Sequence, residues 1–550
     1  HAMNMFCFQC QETRYGKGCT AGGACGKSEE TANLQDLLVY TLKGIAILEE
    51  TRVERGGFIG KDLGDFLFAS LYMTVTNTNF DPHRFISRIG EALAVTRGLR
   101  AALPAGTLPD PLPDMASWDA REEKLILAKS YTVGVLLTRD EDVRSLRETV
   151  TYGLKGIGAY AHHAASLGFY DPALARFVVR ALAAISREED VGRLFDLALG
   201  TGKAAIEAME LLDRAHRESL GLPEVTDLDI GTRGRPGILV TGHDLRAMRE
   251  LLEQSTGAGI DVYTHGEMIA AQYYPAFRNF PHMAGNYGNA WWRQESEFAS
   301  FNGPILVTSN CIVPVAGAYR DRIYTTGVAG YPGIPHITGQ LSGGGTDYGA
   351  LIARARACPP PVPLESGTRT GGFNHLRLAA VAEKMLDLVK RGSIRRFIVI
   401  AGCDGRDAER DYYRKVALAL PGDAVILTAG CAKYRFYKLD LGEIEGIPRV
   451  LEAGQCNDCY SLIAFAARLR EMTGLWDING LPLSFDIAWY DQKAVLVLLA
   501  LLHLGIRNIR LGPTLPAFLS PRILGAIVER YAVKTIGTPE GDVALMMEGR

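Results

Sequence analysis

The spacing of apolar residues divides the chain into an N-terminal helical part and a longer part in which short strands alternate with helices. Between residue 28 and about residue 218, apolar side chains recur three or four positions apart, which is typical of amphipathic helices. A clear stripe near the start consists of Leu34, Leu37, Leu38, Leu42 and Ile45. Strand-like runs are scarce in this part, so the pattern predicts an all-α first domain.

Two predicted helices in this part begin with recognisable capping residues. Ser28 can accept a hydrogen bond from a free N–H of the first turn, and Glu29 and Glu30 place negative charge at the positive end of the helix. Asp171 is a second cap, and Pro172 follows it at the first helical position, where proline is favoured. Both signatures agree with the helical spacing of the apolar residues.

From Gly237 onward the pattern changes to short apolar or β-branched runs separated by amphipathic helices. This alternation is typical of α/β domains with parallel sheets. The predicted strands are Gly237–Thr241, Gly259–Tyr263, Pro304–Thr308, Arg396–Ala401, Asp423–Thr428, Pro448–Glu452 and Leu483–Ala488. The sequence therefore predicts a multidomain protein of mixed α and α/β class.

Three domains are predicted. The chain has 550 residues, enough for about three or four domains of ordinary size. The helical pattern of apolar residues ends at about Pro223, which marks the first boundary. The proline-rich segment 358–363 is interpreted as the linker between two α/β domains. The predicted domains are residues 1–222, mainly helical and including a cysteine-rich loop at 7–25, residues 223–365 and residues 366–550.

Composition and charge narrow the possible functions. The chain is 47% hydrophobic and 22% charged, and its formal net charge is −3, which does not favour binding to nucleic acid or to an anionic membrane surface. The longest apolar run, Ala494 to Ile506, is shorter than the about 20 residues that a membrane span needs. No segment resembles a signal peptide. We therefore expect a cytoplasmic protein whose ten cysteines stay reduced and can bind metal.

Four of the cysteines form a compact motif near the N-terminus. Cys7, Cys10, Cys19 and Cys25 have the spacing Cys-x2-Cys-x8-Cys-x5-Cys in a glycine-rich loop. Four such thiolates can hold either a tetrahedral zinc ion or an iron–sulfur cluster. Structural zinc sites usually pair two Cys-x2-Cys hairpins, and only the first pair here has that spacing, so the motif favours iron and sulfide over zinc.

A second set of possible ligands follows the predicted strands. Because ligands bind beyond the carboxyl ends of parallel strands, we expect these side chains to converge if the two sheets face each other. In chain order the seven segments carry His243, Glu267, Cys311, Cys403, Cys431, Cys456 with Cys459, and Asp491. Thiolates suit iron and sulfide, whereas imidazole and carboxylate make one side of a cluster harder and more Lewis-acidic. The set predicts redox catalysis at an asymmetric metal cluster that receives electrons from the N-terminal cluster.

At these positions the sequence resembles the hybrid cluster proteins, also called prismane proteins, a family known as hydroxylamine reductases. The resemblance extends over essentially the whole chain. It rests on the segments Phe6-Cys7-Phe8-Gln9-Cys10-Gln11-Glu12-Thr13, Thr31-Ala32-Asn33-Leu34-Gln35-Asp36-Leu37-Leu38, Gly242-His243-Asp244-Leu245, Thr264-His265-Gly266-Glu267-Met268, Ser309-Asn310-Cys311, Gly402-Cys403-Asp404-Gly405-Arg406, Ala429-Gly430-Cys431, Gly454-Gln455-Cys456-Asn457-Asp458 and Trp489-Tyr490-Asp491-Gln492-Lys493.

The resemblance implies one helical domain and two Rossmann-like domains, a [4Fe-4S] cluster on the N-terminal motif and a hybrid [4Fe-2O-2S] cluster at the second site. By match, the hybrid cluster would be bound by His243, Glu267, Cys311, Cys403, Cys431 and Cys456, and Cys403 is the position that carries a persulfide in the family. The family pattern has glutamate where this chain has Asp491, whose side chain is shorter by about 1.5 Å. Asp491 is therefore expected to bind iron either directly after a small backbone shift or through water. Cys358 and Cys459 are not ligands by match.

The predicted reaction is the two-electron reduction of hydroxylamine to ammonia and water. Glu267 or Asp491 is the expected proton donor, and His265 and Lys493 are candidates for the same role or for orienting the ligands. A redox partner protein is expected to supply the electrons to a monomeric enzyme. Four alternatives remain open: reduction of nitric oxide to nitrous oxide, carbon monoxide chemistry at a nickel–iron cluster, a non-catalytic redox or nitrosothiol-transfer regulator that acts through Cys403, and a structural zinc protein.

Overall fold

The computed structural model describes residues 4–550, so the first three residues of the predicted helical domain lie outside it. The part of the chain before residue 222 is helical, as predicted. Its helices are α1 (Glu29–Glu54), α2 (Lys61–Met73), α3 (Pro82–Ala102), α4 (Asp114–Ser117), α5 (Glu123–Ser130), α6 (Glu141–Ser166), α7 (Pro172–Ile185) and α8 (Val191–Leu220).

The predicted caps begin their helices. The Ser28 hydroxyl accepts a hydrogen bond from the Thr31 N–H at 3.1 Å, and the Asp171 carboxylate accepts one from the Ala173 N–H at 2.9 Å. The predicted apolar stripe of α1 faces the interior, where Leu34, Leu37, Leu38, Leu42 and Ile45 are buried. Local sequence signals therefore placed the starts of α1 and α7 correctly.

The first α/β part contains a six-stranded parallel sheet with the order β4-β3-β2-β5-β6-β7. Its strands are β2 (Gly237–Thr241), β3 (Asp261–Thr264), β4 (Met283–Asn286), β5 (Ile305–Val307), β6 (Ile323–Thr326) and β7 (His336–Ile337). The strand β1 (Thr226–Asp229) precedes the sheet. The helices of this part are α9 (Leu245–Ser255), α10 (Pro275–Arg278), α11 (Gln294–Phe301) and α12 (Gly349–Arg356).

The second α/β part contains a five-stranded parallel sheet with the order β13-β10-β9-β14-β15. Its strands are β9 (Arg396–Gly402), β10 (Ala424–Thr428), β13 (Val450–Glu452), β14 (Leu483–Ala488) and β15 (Arg510–Gly512). The remaining short strands are β8 (Thr368–Gly371), β11 (Glu443–Ile444) and β12 (Ile447–Pro448). The helices are α13 (His375–Lys390), α14 (Asp411–Ala419), α15 (Cys459–Thr473), α16 (Gln492–His503), α17 (Pro521–Tyr531) and α18 (Pro539–Met547).

The predicted fold class is confirmed, because the chain has a helical part and two parallel α/β sheets. All seven predicted strands occur, although the segment at 448–452 is divided between β12 and β13. The sequence pattern missed seven strands, which have only two to four residues and lack a long apolar run: β1, β4, β6, β7, β8, β11 and β15. The pairing of β1 with β8 joins segments on either side of residue 365, and the domain boundaries stay a prediction.

Helix α16 belongs to the second α/β part by sequence but packs into the helical bundle. A Cβ atom added at Gly202 of α8 would lie 2.1 Å from the Leu499 carbonyl oxygen, and one at Gly156 of α6 would lie 2.9 Å from the Leu496 Cβ. These glycines let the backbones approach closely. Helix α16 is buried on all sides, which explains its continuous apolar sequence. Within residues 4–550, no helix has both the length and the apolar composition required to cross a membrane.

Candidate metal centre

The strand ends of both sheets bring three of the predicted ligands within reach of one ion. The ligand atoms of His243, Glu267 and Cys456 all lie within 4.8 Å of one another. His243 follows β2, Glu267 follows β3 and Cys456 follows β13, so both α/β parts contribute to this set. All three side chains are buried. The centre therefore lies between the carboxyl ends of the two sheets.

His243 is held in the tautomer whose second nitrogen, Nε2, carries the lone pair that a metal would bind. Its Nδ1 lies 3.0 Å from the backbone oxygen of Asn310, which can only accept, so Nδ1 carries the proton. The Ser309 hydroxyl lies 3.1 Å from the same nitrogen. Burial lowers the pKa of His243 well below its usual value, and the Lys493 charge lowers it further. The neutral imidazole presents an Nε2 lone pair 3.7 Å from the Cys456 sulfur.

The side chain of Gln455, the residue before Cys456, links the loops that carry His243 and Glu267. Its Nε2 donates to the backbone oxygens of His243 and Glu267, each at 3.3 Å. One carboxylate oxygen of Glu267, Oε2, is buried and has no hydrogen-bond partner within the described part of the chain. Burial raises the pKa of Glu267, although Lys433 and Lys493 oppose the shift. An unpartnered buried carboxylate oxygen is expensive, and a metal cation would satisfy it.

The other three cysteines of the predicted set lie around the same centre. Cys403 and Cys431 are buried, and Cys311 is half-buried. Burial raises the pKa of each thiol, and the neighbouring charges show their proximity: Asp491 and Cys456 act on Cys403, and Glu267 and Cys311 act on Cys431. These thiols would stay protonated without a metal, because burial disfavours the thiolate. A bound cation would provide the charge that stabilises the thiolate form.

Asp491 is held by Asn310 at the edge of the centre. One oxygen of Asp491 accepts a hydrogen bond from the Lys493 N–H at 2.8 Å, and this bond caps the start of α16. The other oxygen accepts from the Asn310 side-chain amide at 3.1 Å. The Asn310 amide nitrogen also donates to the Cys311 sulfur at 3.2 Å. Burial raises the pKa of Asp491, opposed by Lys493. Both carboxylate oxygens of Asp491 therefore have protein partners, in contrast to Glu267.

The two remaining candidates occupy different positions. Lys493 donates to the Asn310 Oδ1 at 2.8 Å, and its Nζ lies 3.0 Å from the His243 Nε2. His265 is fully buried, and its ring nitrogens lie 3.2 Å from the Thr241 hydroxyl and 3.1 Å from the Glu297 carboxylate. Both nitrogens of His265 thus have partners outside the metal centre, whereas Lys493 contacts the centre directly.

The helical bundle adds polar groups that the sequence analysis missed. The Tyr72 hydroxyl donates to the Asn310 Oδ1 at 2.9 Å, and His163 supports that hydroxyl at 3.1 Å. The Tyr160 hydroxyl donates to the Cys456 sulfur at 3.4 Å. These residues stand in apolar helical stripes, and Tyr72 and Tyr160 lie 238 and 296 positions from Asn310 and Cys456. No local signal distinguishes them from ordinary core residues, so only the tertiary structure reveals them.

The four N-terminal cysteines form a separate centre with wider spacing. Cys7 and Cys19 exchange two backbone hydrogen bonds of 3.0 and 2.8 Å, while Cys10, Cys19 and Cys25 are buried. Burial raises the pKa of Cys7 to about 12. A single zinc ion holds its sulfurs about 3.8 Å apart. Within the described residues, the His243 set alone has three ligand atoms inside 4.8 Å, so the N-terminal sulfurs are too far apart for one ion.

The donors at both centres fit iron–sulfur clusters. A cluster with several metal atoms accommodates four sulfurs at wider spacing than one ion does, and thiolates are its usual ligands. At Gly23, an added Cβ would lie 3.0 Å from the Cys25 sulfur, so the loop passes close to this thiol. At the second centre, the free Glu267 oxygen and the His243 lone pair add hard ligands to the thiols.

The fold and the two cysteine-rich centres define a multidomain iron–sulfur protein. The profile of the Prismane/CO dehydrogenase family matches residues 5–544, and the chain belongs to this family. A hydroxylamine reductase from Nitratidesulfovibrio vulgaris is 53% identical over 555 residues, which cover 99% of this chain and 100% of that protein. A hydroxylamine reductase from Desulfosudis oleivorans is 51% identical, with 99% and 100% covered.

Solved structures of carbon monoxide dehydrogenases share the fold at low sequence identity. Carbon monoxide dehydrogenase IV from Carboxydothermus hydrogenoformans superposes with a TM-score of 0.57 and 15% identity, covering 96% of this chain and 89% of that one. A carbon monoxide dehydrogenase from Thermococcus sp. AM4 gives a TM-score of 0.55 and 15% identity, covering 98% and 90%. At this identity the likeness concerns the fold alone.

Proposed function

We propose that this protein is an iron–sulfur enzyme that reduces hydroxylamine to ammonia and water. One structural observation carries the proposal: His243, Glu267 and Cys456 present nitrogen, oxygen and sulfur ligands within 4.8 Å in a buried site. Pure electron-transfer sites need only thiolates, and mixed ligands suit a centre that also binds a small polar substrate. The relatives named hydroxylamine reductase, at 51–53% identity over their full length, support the same substrate.

In this proposal, Cys7, Cys10, Cys19 and Cys25 hold a [4Fe-4S] cluster. The hybrid [4Fe-2O-2S] cluster is held by His243, Glu267, Cys311, Cys403, Cys431 and Cys456, with Asp491 binding directly or through water and Cys403 as the persulfide position. The clusters supply two electrons and a Lewis-acidic site for the substrate. A redox partner protein delivers the electrons at the N-terminal loop, where Cys7 is only partly buried.

The protein residues supply protons and hold the reacting groups in place. Hydroxylamine accepts two electrons and two protons as its N–O bond breaks, and one ammonia and one water leave. A carboxylate oxygen of Glu267 lies within 4.8 Å of the His243 and Cys456 ligand atoms, so Glu267 is the first candidate for proton delivery and Asp491 is the second. Lys493 presents an N–H to the same space and stabilises negative charge there. His265 supports the loop that carries Glu267, through Thr241 and Glu297.

The first test measures iron, nickel, zinc and acid-labile sulfide in anaerobically purified protein, and then hydroxylamine reduction with a reduced viologen. We expect iron and sulfide at both centres, negligible nickel and zinc, and ammonia as the product. Glu267→Gln should lower kcat by about 10²- to 10⁴-fold. Glu49→Gln is the matched control, because Glu49 is equally buried and pairs with Arg52 in the helical bundle. An iron-loaded protein without turnover would exclude the proposed reaction.

Nitric oxide reduction is the second candidate, and one observation favours it. An apolar cavity lies between the second sheet and α16, next to the buried thiol of Cys459, and Val399, Phe485 and Leu501 are among its lining residues. A cavity without polar groups suits an uncharged diatomic molecule better than hydroxylamine. Rates measured side by side on the two substrates would distinguish them, since the proposed reductions give ammonia from hydroxylamine and nitrous oxide from nitric oxide.

A further inference from the structure

Arg410 is a fully buried arginine without an acidic partner. Its side chain has 0% exposure, and within residues 4–550 no Asp or Glu oxygen lies within the 4.0 Å of an ion pair. Arginine cannot lose its proton in a protein, so this site carries a permanent positive charge. Buried charges are normally paired or coordinate a metal. A source of negative charge close to Arg410 would therefore stabilise its buried position.

The guanidinium bonds only to neutral oxygens. Its Nη2 donates to the Gln11 Oε1 at 2.8 Å and to the Trp489 carbonyl at 2.6 Å, and its Nη1 donates to the Cys403 carbonyl at 3.3 Å. The third nitrogen, Nε, is buried and lacks a partner among the described residues. These contacts orient the guanidinium but do not neutralise it.

All three acceptors belong to segments that carry cluster ligands. Gln11 follows Cys10 of the N-terminal centre, Cys403 is a ligand position of the second centre, and Trp489 lies two residues before Asp491. The positive charge is therefore located between the two centres.

The acidic residues in the neighbouring loops have partners other than Arg410. Glu12 accepts from Arg406 at 2.9 Å, Asp404 accepts from Arg435 at 2.7 Å, and Asp407 accepts from the Gln11 side chain at 3.2 Å. The thiolate-bound centres themselves would add negative charge close to Arg410.

We propose that Arg410 is a positioning residue that links the two iron–sulfur centres and raises the reduction potential of both. The inference rests on the proposed function, because it needs both clusters to be present. An electron added to either cluster makes it more negative, and a fixed positive charge in a water-poor site stabilises that reduced form. The same three hydrogen bonds hold the N-terminal loop, the Cys403 loop and the Asp491 loop together.

The test compares midpoint potentials of the iron-loaded variants Arg410→Met and Arg410→Lys with the unmodified protein, by redox titration followed with electron paramagnetic resonance. Arg410→Met removes the charge at similar length and should lower both potentials. Arg410→Lys keeps the charge and should leave both potentials closer to the original values. Unchanged potentials in fully loaded Arg410→Met would overturn the proposal, and a shift at only one centre would overturn the link between the two.

Arg322 offers a matched control. It is buried, and it donates only to the backbone oxygens of Gly303, Phe298 and Ala299 in the first α/β part. Arg322→Met should destabilise the fold but leave both potentials unchanged. An equal shift in this variant would mean that the effect is a general consequence of losing a buried arginine, against the proposal.

If a variant binds too little iron for a redox titration, its iron content is itself the measurement. Loss of iron in Arg410→Met but not in Arg410→Lys or Arg322→Met would support a need for the charge, and equal loss in Arg410→Lys would contradict it. Failure of the proposed function can be told apart from failure of this inference. An unmodified protein with both clusters but no hydroxylamine turnover would contradict the proposed function, and its reduction potentials could still be measured.

Discussion

At the scale of single residues, Asn310 connects the helical bundle to the metal centre. Its Oδ1 accepts from Tyr72 and Lys493, and its amide nitrogen donates to Asp491 and Cys311. The side chain is 1% exposed, so water cannot replace these bonds. The amide orientation is fixed, because its oxygen faces two donors and its nitrogen faces a carboxylate and a sulfur.

Asn310→Leu should lower the free energy of unfolding by about 2–5 kcal/mol, because it removes one hydrogen-bond partner from each of the buried side chains of Lys493 and Asp491. Urea unfolding of the iron-loaded protein measures the loss. Asn374→Leu is the control, since Asn374 is also buried but only caps α13, which is worth about 1 kcal/mol. Equal losses in the two variants would show that Asn310 has no special role.

His216 predicts how stability depends on pH. Burial lowers its pKa from 6.5 to about 4, and one ring nitrogen has no partner among the described residues. Between pH 6.5 and pH 4, His216 therefore binds a proton in the unfolded chain but not in the folded protein. The free energy of unfolding is unaffected by this group above pH 6.5 and falls by about 3 kcal/mol in all as the pH is lowered towards 4.

His216→Gln should flatten this part of the pH profile of the free energy of unfolding. Denaturant titrations at several pH values between 7 and 4 measure the slope. His83→Gln, at an exposed position near the start of α3, should retain the slope of the unmodified protein. A His216→Gln profile as steep as the original would refute the assignment.

At the scale of elements, the position of α16 depends on its contact with α8. Gly202→Ala would place a methyl group 2.1 Å from the Leu499 carbonyl oxygen, so one helix must move. Because Asp491 caps the start of α16, a shift of the helix would also disturb the metal centre. We expect a loss of about 1–3 kcal/mol in the free energy of unfolding and a lower iron content.

Gly200→Ala is the matched control on the same helix. An added Cβ there has only the Phe177 ring nearby, at 3.9 Å, so the change should stabilise α8 by about 0.5–1 kcal/mol. Thermal unfolding and iron analysis of both variants check the pair. Equal behaviour of Gly200→Ala and Gly202→Ala would contradict the close packing of α8 and α16.

The strands show which elements could be predicted from the sequence pattern. Strands of five to seven residues, such as β2, β9 and β14, were predicted at the right positions. The pattern failed for β4, whose Met283-Ala284-Gly285-Asn286 has low β propensity. That strand exists because its neighbour β3 supplies hydrogen-bond partners. Tertiary pairing therefore decides short strands.

At the scale of the whole molecule, the metal centre joins three parts of the chain. The first α/β part supplies His243 and Glu267, the second supplies Cys456, and the helical bundle supplies the Tyr160 hydroxyl that contacts this cysteine. A ligand that binds only the folded arrangement stabilises it. The clusters should therefore stabilise contacts between the parts as well as the reaction site.

Anaerobic removal of iron with a chelator should lower the unfolding temperature by at least about 5 °C, measured by calorimetry. Cys456→Ala, which removes one proposed ligand of the second centre, should start from a lower unfolding temperature and lose less on chelation. An iron-free protein as stable as the loaded one would show that the clusters do not hold the parts together.

The sequence alone determined the helical and α/β classes, the caps of α1 and α7, and the candidate ligands, because these depend on local spacing and on side-chain chemistry. Convergence of ligands from distant strands required the fold, since strand order and the facing of two sheets are set by packing between remote segments. The supporting residues Tyr72, Tyr160, Asn310 and Arg410 were likewise decided by tertiary structure. Their partners lie far away along the chain, and burial gives each polar contact its importance.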